Sequence, residues 1–166
     1  MTTYAIIPAR GGSQGIPGKN LREIEGEPLV GIAARQASAA EEIEHVIVNS
    51  DDPAIRAAVS GYDVDVRDRP ERYARGDRMM GVDTFLTWQV SQLEQEGSHV
   101  EVVVLLYPTA PLRPVDVIDE TVRRVTVDGF DSALTLYEDD RYLWEVDDDT
   151  AAPTNYDPAR RGTRQL

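Results

Sequence analysis

A glycine-rich loop directly follows the first apolar run of the chain. Residues Tyr4 to Ile7 are apolar and predict a buried strand that begins almost at the N-terminus. Residues 9–20 come next, with glycines at positions 11, 12, 15 and 18. Glycine permits positive φ angles and the close approach of a ligand, and successive backbone N–H groups in such a loop can bind an anion. The loop therefore predicts a cradle for a polyphosphate.

Two basic side chains, Arg10 and Lys19, bracket this loop. A guanidinium can hold two phosphate oxygens at once, whereas an ammonium acts as a mobile point charge. Lys19 is the sole lysine of the chain, and every other basic residue is an arginine. The spacing matches neither the Walker A loop nor the dinucleotide glycine motif. The alternative interpretation is a flexible turn after a core strand, with both cations simply solvated.

The composition limits the class of protein. A length of 166 residues predicts one domain with a substantial hydrophobic core. Neither a membrane-spanning apolar run nor a secretory leader is visible, so we expect no membrane association. The absence of cysteine excludes disulfides and thiolate metal sites and is consistent with a reducing cytoplasm, where we expect the protein to reside. A net charge of −13 argues against nucleic-acid binding, which requires a basic face.

Apolar runs alternate with amphipathic stretches, which indicates βαβ units. Strands are predicted at residues 4–7, 46–49, 64–66, 100–106 and 132–137, and helices at 28–37, 54–59, 82–95 and 115–127. The pattern predicts an α/β fold with a doubly wound, mainly parallel sheet in which residues 100–106 form a central strand. We expect a nucleotide-binding domain over residues 1–141.

Three predicted loops lie at the carboxyl edge of this sheet, where such folds bind ligands. They are residues 9–20, 49–53 and 107–113. Asp51 and Asp52 in the second loop precede a proline and are best explained as helix-capping residues. A further loop, residues 67–81, is rich in arginine. It is either a lobe over a nucleotide or a salt-paired surface.

Residues 142–166 follow no regular pattern and predict an irregular tail. Asp147 to Asp149 could hold a divalent cation, but a solvated turn is the preferred interpretation. No closing helix follows, so we expect the domain to be truncated on its C-terminal side.

Four blocks of residues resemble the acylneuraminate cytidylyltransferase family, which makes CMP-sialic acid and related CMP-sugars. They are residues 7–13 with 16–20 (IPARGGS and IPGKN), 48–52 (VNSDD), 69–71 (RPE) and 105–113 (LLYPTAPLR). The related 3-deoxy-manno-octulosonate cytidylyltransferases usually carry Arg-Leu-Pro-Gly-Lys where this chain has Gly15 to Lys19. The resemblance is to the N-terminal portion of the family and implies a Rossmann-like fold of the nucleotide-diphospho-sugar transferase type.

The resemblance implies that a 2-keto sugar acid attacks the α-phosphate of CTP and releases pyrophosphate, with Mg²⁺ as cofactor and a homodimer as the assembly. Arg10 and Lys19 would be catalytic. The implied nucleotide-binding residues are Arg10, Gly11, Gly12, Ser13, Lys19, Asn20 and Arg69, and the implied sugar-binding residues are Tyr107, Pro108 and Thr109. The resemblance assigns no metal ligand within this chain.

Departures from the family pattern leave rival functions open. Gln14 stands where many members have lysine, Tyr107 replaces a frequent glutamine, and residues 77–80 lack the usual hydroxyls. The family's acidic metal ligands and dimer-forming part lie in its later half. The rivals are another sugar nucleotidyltransferase on the same fold and a catalytically silent nucleotide- or partner-binding module.

The acid excess and near absence of lysine predict a halophilic protein, since concentrated salt screens the self-repulsion of a chain with net charge −13. The Debye length falls to about 3 Å at 1 M salt. We expect a higher free energy of unfolding in multimolar KCl than at low salt, measured by urea denaturation. Equal stability in both conditions would contradict the prediction.

Overall fold

A computed structural model of the chain describes residues 1–13, 15–74, 81–138 and 141–157. It divides into two compact units, Met1–Leu134 and Thr135–Leu166. The division thus falls between Leu134 and Thr135, whereas the composition placed it after residue 141.

The strands of the first unit are β1 (Thr3–Pro8), β2 (Glu23–Ile24), β3 (Glu27–Pro28), β4 (His45–Ser50), β5 (Asp65–Asp68) and β6 (Val102–Leu105). Strands β2 and β3 form a small antiparallel pair, and the other four form a parallel sheet in the order β5-β4-β1-β6. Ile6 pairs with Ile47 on one side and with Leu105 on the other. All six residues of β1 are buried, because this strand has a neighbour at each edge and helices over both faces.

The prediction that residues 100–106 form a central strand is wrong. Within the described residues β6 lies at the edge of the sheet, and Val103 is partly exposed. An apolar run indicates that both faces of a strand are covered. It does not indicate how many strands lie beside that strand, so the sequence could not distinguish an edge strand from a central one.

Helices connect these strands. They are α1 (Leu29–Ser38), α2 (Pro53–Ala58), α3 (Glu71–Ala74), α4 (Val82–Gln95) and α5 (Val115–Thr126), with a 3-10 turn at Lys19–Leu21. All but α3, which lies within the predicted loop 67–81, are near their predicted positions. Asp52 caps α2, since its Oδ1 accepts a hydrogen bond from the Ala54 N–H at 2.8 Å. Pro53 occupies the first turn, as predicted.

The two faces of the sheet bury different helices, which confirms the doubly wound architecture. On one face Ala5 and Ile7 pack in a core that also contains residues of α1, α2 and α5. On the other face Tyr4 and Ile47 pack against Leu93 of α4. Neighbouring residues of a strand point to opposite faces, so β1 supplies side chains to both cores.

The strand order reverses beside β1, because β4 and β5 extend the sheet on one side and β6 on the other. The loops after β1 and β6 therefore meet at the same carboxyl edge, which is where α/β sheets bind ligands. No helix in the described part of the chain combines the length and apolarity needed to cross a membrane.

Two predictions for the C-terminal part are wrong. Residues 132–137 form no strand, and Leu134, Leu136 and Tyr137 are exposed. Their apolar pattern suits a strand, but none of the described strands pairs with them, and a strand requires a neighbour for its backbone hydrogen bonds.

Part of the tail predicted to be irregular is instead a hairpin. Strand β7 (Trp144–Asp147) pairs antiparallel with β8 (Thr150–Pro153). Asp148 and Asp149 form the turn between them, in agreement with the preferred interpretation of this aspartate run. Tyr156 packs against Tyr142 beside the strands, with 4.5 Å between ring centroids. The irregular composition of this segment gave no indication of that aromatic contact.

Candidate functional site

A pocket of about 250 Å³ opens at the carboxyl edge of the sheet in the first unit. Its walls come from the loops after β1, β5 and β6 and from the beginning of α4. The lining residues are Pro8, Arg10, Ser13, Lys19, Asn20, Arg69, Tyr73, Gly81, Val82, Tyr107, Pro108 and Thr109.

The structure brings together most of the residues that the sequence selected, although they lie far apart in the chain. Arg10, Ser13, Lys19, Asn20, Arg69, Tyr107, Pro108 and Thr109 all line the pocket, whereas Gly11 and Gly12 do not. Sequence reasoning missed Tyr73, Gly81 and Val82, which belong to α3 and to the beginning of α4. Gln14 and residues 77–80, which depart from the family pattern, lie outside the described residues.

The glycine loop is fixed to the neighbouring strand rather than free. The Gly11 N–H donates a hydrogen bond to Asp51 Oδ1 at 3.0 Å, and the Ala9 N–H donates to the Asn49 carbonyl at 2.9 Å. Gly11 was expected to offer its amide to a phosphate, but in this structure Asp51 takes that donor. Asp51, which we predicted to cap a helix together with Asp52, therefore holds the loop instead.

Gly11 is required by close packing and Gly18 by backbone conformation. A Cβ added at Gly11 would lie 2.8 Å from the Asp52 Cβ, closer than real side chains approach. Gly18 has a φ of 62°, the left-handed region that favours glycine, and it precedes the 3-10 turn that carries Lys19. A Cβ at Gly12 would meet nothing within 4 Å.

Asn20 closes the loop on itself. Its Nδ2 donates to the Arg10 carbonyl oxygen at 2.9 Å, and its side chain is buried. We expected this amide to bind a phosphate or ribose oxygen, but here its donor joins the two ends of the loop. The bond fixes the backbone that presents Arg10 and Lys19 to the pocket.

Three cations line the pocket without a carboxylate partner. Within the described residues, no Asp or Glu oxygen lies within salt-bridge distance of Arg10, Lys19 or Arg69. Nearby Arg67, by contrast, pairs with Asp65 at 2.6 Å and with Glu96 at 2.8 Å. Positive charge is therefore available to an anionic ligand in this pocket.

The arginine-rich loop, residues 67–81, contains both a salt-paired surface and an arginine that faces the pocket, so each of the two interpretations holds for part of it. Arg67 belongs to a salt-paired surface, while Arg69 faces the pocket. Arg72 lies over the ring of Tyr73 at 4.9 Å. Arg75 and Arg78 fall outside the described residues.

Arg69 is partly buried and is anchored to the sheet by its backbone. Its backbone N–H donates to the Ser50 carbonyl at 3.1 Å, which anchors it to the end of β4. Burial lowers the pKa of its guanidinium; the charge of Asp51 opposes this, and the charge of Arg10 adds to it. Arginine titrates so far above neutrality that the side chain remains a cation at physiological pH.

The loop after β6 is held by side chains that sequence reasoning did not select. Gln36 of α1 donates its Nε2 to the Pro111 carbonyl at 2.7 Å and to the Arg113 carbonyl at 2.8 Å. Arg113 in turn donates to the Tyr107 carbonyl at 3.0 Å. These bonds fix the backbone that places Tyr107, Pro108 and Thr109 on the pocket wall. A glutamine on the buried face of an alanine-rich helix was the available signal for the role of Gln36.

Residues 4–162 match the family model described as cytidylyltransferase. The chain belongs to the cytidylyltransferase family. It is 29% identical to the N-acylneuraminate cytidylyltransferase A of Danio rerio, over 97% of this chain and 37% of that protein. It is 32% identical to a 3-deoxy-manno-octulosonate cytidylyltransferase of Chromohalobacter salexigens, over 80% of this chain and 48% of that protein. The chain thus spans between about a third and a half of the length of these relatives.

A solved structure supports the fold. The CMP:2-keto-3-deoxy-manno-octonic acid synthetase, determined in complex with CTP, superposes with a TM-score of 0.62 at 23% identity. The match covers 77% of this cytidylyltransferase chain and 48% of that synthetase. The likeness confirms the predicted Rossmann-like architecture.

A preformed cluster of metal ligands is not found among the described residues. No group of three His, Cys, Asp or Glu side chains among them could hold a metal ion. Asp51, the carboxylate that contacts the glycine loop, accepts from Gly11, and Asp52 caps α2. The requirement for Mg²⁺ stays a prediction that rests on the resemblance.

The packing of Gly11 predicts contrasting effects for two neighbouring substitutions. Gly11→Ala should lower the free energy of unfolding by about 1–3 kcal/mol, because the new methyl group must displace Asp52. Gly12→Ala is the matched control and should change it by less than about 0.5 kcal/mol, since its methyl group meets open space. Urea denaturation of both variants measures the difference, and equal losses of stability would contradict the packing argument.

Proposed function

We propose that this cytidylyltransferase chain moves CMP from CTP to a sialic-acid-like 2-keto sugar acid, with release of pyrophosphate. The observation that carries the proposal is the cluster of Arg10, Lys19 and Arg69 around one pocket, three cations for which the described part of the chain supplies no carboxylate partner. An unpaired, partly buried cation is costly unless it serves a ligand. The triphosphate of CTP is a ligand that matches this charge.

The cluster suits the chemistry of phosphoryl-type transfer. Such reactions depend on positioning and on neutralising the charge that develops on the departing oxygens, rather than on covalent catalysis. Arg10 would hold two phosphate oxygens with its planar fork, and Lys19 would follow the pyrophosphate as it leaves. Arg69, on the opposite loop, would contact the nucleotide.

The acceptor would lie against the loop after β6. Tyr107 is 43% exposed and adds a hydroxyl and a ring face to the wall formed with Pro108 and Thr109. The choice of a sialic-acid-like acceptor rests on the similarity of residues 15–20 to acylneuraminate cytidylyltransferases. The Chromohalobacter salexigens relative favours a second candidate acceptor, 3-deoxy-manno-octulosonate. Mg²⁺ as cofactor and the homodimeric assembly stay proposals that rest on the resemblance.

Measurement of pyrophosphate release from each of the four nucleoside triphosphates, with Mg²⁺ and a panel of 2-keto sugar acids, tests the proposal. We expect release with CTP and a sialic acid. Release with 3-deoxy-manno-octulosonate alone would support the second candidate. CTP binding without release for any acid would instead identify a silent nucleotide-binding module.

The position of Lys19 predicts a loss of function without a loss of stability. Lys19→Ala should weaken CTP binding or turnover by about 2–4 kcal/mol, as expected for a preorganised charge-stabilising group. Arg124→Ala is the charge-matched control, since Arg124 is paired with Glu120 and Asp128 on the surface of α5. Calorimetric titration with CTP, a pyrophosphate-release assay and thermal unfolding measure these effects. Equal CTP binding and equal turnover in the two variants would contradict the role of Lys19.

A further inference from the structure

Three aromatic side chains form a cluster beneath the pocket cation Arg69. The three side chains are Tyr73, Phe85 and Trp88. Tyr73 stacks on Trp88 with 5.0 Å between ring centroids, and Phe85 lies 6.0 Å from each of them. Phe85 is only 1% exposed, so its ring is held in one place by packing.

The guanidinium of Arg69 lies over the face of this fixed ring. Its central carbon is 4.1 Å from the Phe85 ring centroid, within the range of a cation–π interaction. The Arg69 Nε is buried and has no hydrogen-bond partner. Among the described residues, the Arg69 guanidinium therefore packs on the Phe85 ring face and has no carboxylate partner.

A ring face and a carboxylate hold an arginine in different ways. A carboxylate binds the N–H groups themselves and cancels the charge, as Asp65 and Glu96 do for Arg67. A ring face attracts the cation through its quadrupole and leaves the outer N–H donors uncommitted. Arg67 and Arg69 lie two positions apart, so the chain uses both arrangements side by side.

We propose that Phe85 is a positioning residue whose ring face holds the Arg69 guanidinium in the pocket, charged and free to donate to the nucleotide. The inference rests on the proposed function, because it assumes that the pocket receives CTP. Phe85 does not line the pocket and acts only through Arg69. Its ring would lower the cost of ordering the arginine when the nucleotide binds.

Fluorinated phenylalanines test this role because they weaken the ring quadrupole while nearly preserving its shape. We would install phenylalanine analogues with one, two and three ring fluorines at position 85 and titrate each protein with CTP. The affinity should fall stepwise with fluorine number, by about five- to tenfold across the series, which is the range of a partly desolvated cation–π contact. The same analogues at Phe130, the only other phenylalanine and an exposed one, are the matched control and should leave the affinity unchanged.

A second measurement reports on the contact without any nucleotide. In the free protein the Arg69 Nε–H resonance should be shifted upfield by the ring current, and the shift should disappear in Phe85→Leu. Absence of CTP binding by the unsubstituted chain would overturn the proposed function. CTP binding that does not respond to fluorine number, or an Arg69 resonance unchanged in Phe85→Leu, would overturn the positioning role alone.

Discussion

The gathering of Arg10, Lys19 and Arg69 around one pocket is the constraint on which the site depends. Like charges in one small pocket disfavour the folded state, and a carboxylate partner would offset this only by cancelling the charge that a ligand needs. The chain holds their backbones instead. Asn20 ties the glycine loop at the Arg10 carbonyl, and the Ser50 carbonyl anchors the Arg69 amide. The stability that opposes the repulsion comes from the packed sheet, while the charge remains available to a ligand.

The topology of the sheet explains why these residues meet. Arg10 and Lys19 follow β1, Arg69 follows β5, and Tyr107 follows β6, and all four lie at one edge because the strands are parallel. The strand order reverses beside β1, with β4 and β5 on one side and β6 on the other, and such a reversal is where sheets of this kind bind ligands. Gln36 then connects α1 to the loop after β6, so this side of the pocket is fixed to a helix of the core.

Local chemistry made part of this site predictable. Glycines, a lone lysine and a proline after Asp52 are properties of adjacent residues, so the loop and the cap of α2 could be inferred from the sequence. The bond from Gly11 to Asp51 joins residues 40 positions apart, and the bonds from Gln36 span 75 and 77 positions. Such partners depend on tertiary packing, which local patterns do not report. The edge position of β6 escaped prediction for the same reason. The hairpin of β7 and β8 is local, since Asp147 pairs with Thr150, and the acidic and proline-rich sequence around it hid its pattern.

The central claim is that the pocket recognises phosphate through unpaired cations. Calorimetric titration with cytidine, CMP, CDP and CTP tests it most directly, because the base and ribose stay constant while the anionic charge grows. We expect an affinity that rises with each phosphate, by at least about tenfold from CMP to CTP, and that weakens as salt is added. Equal affinity for cytidine and CTP would contradict it.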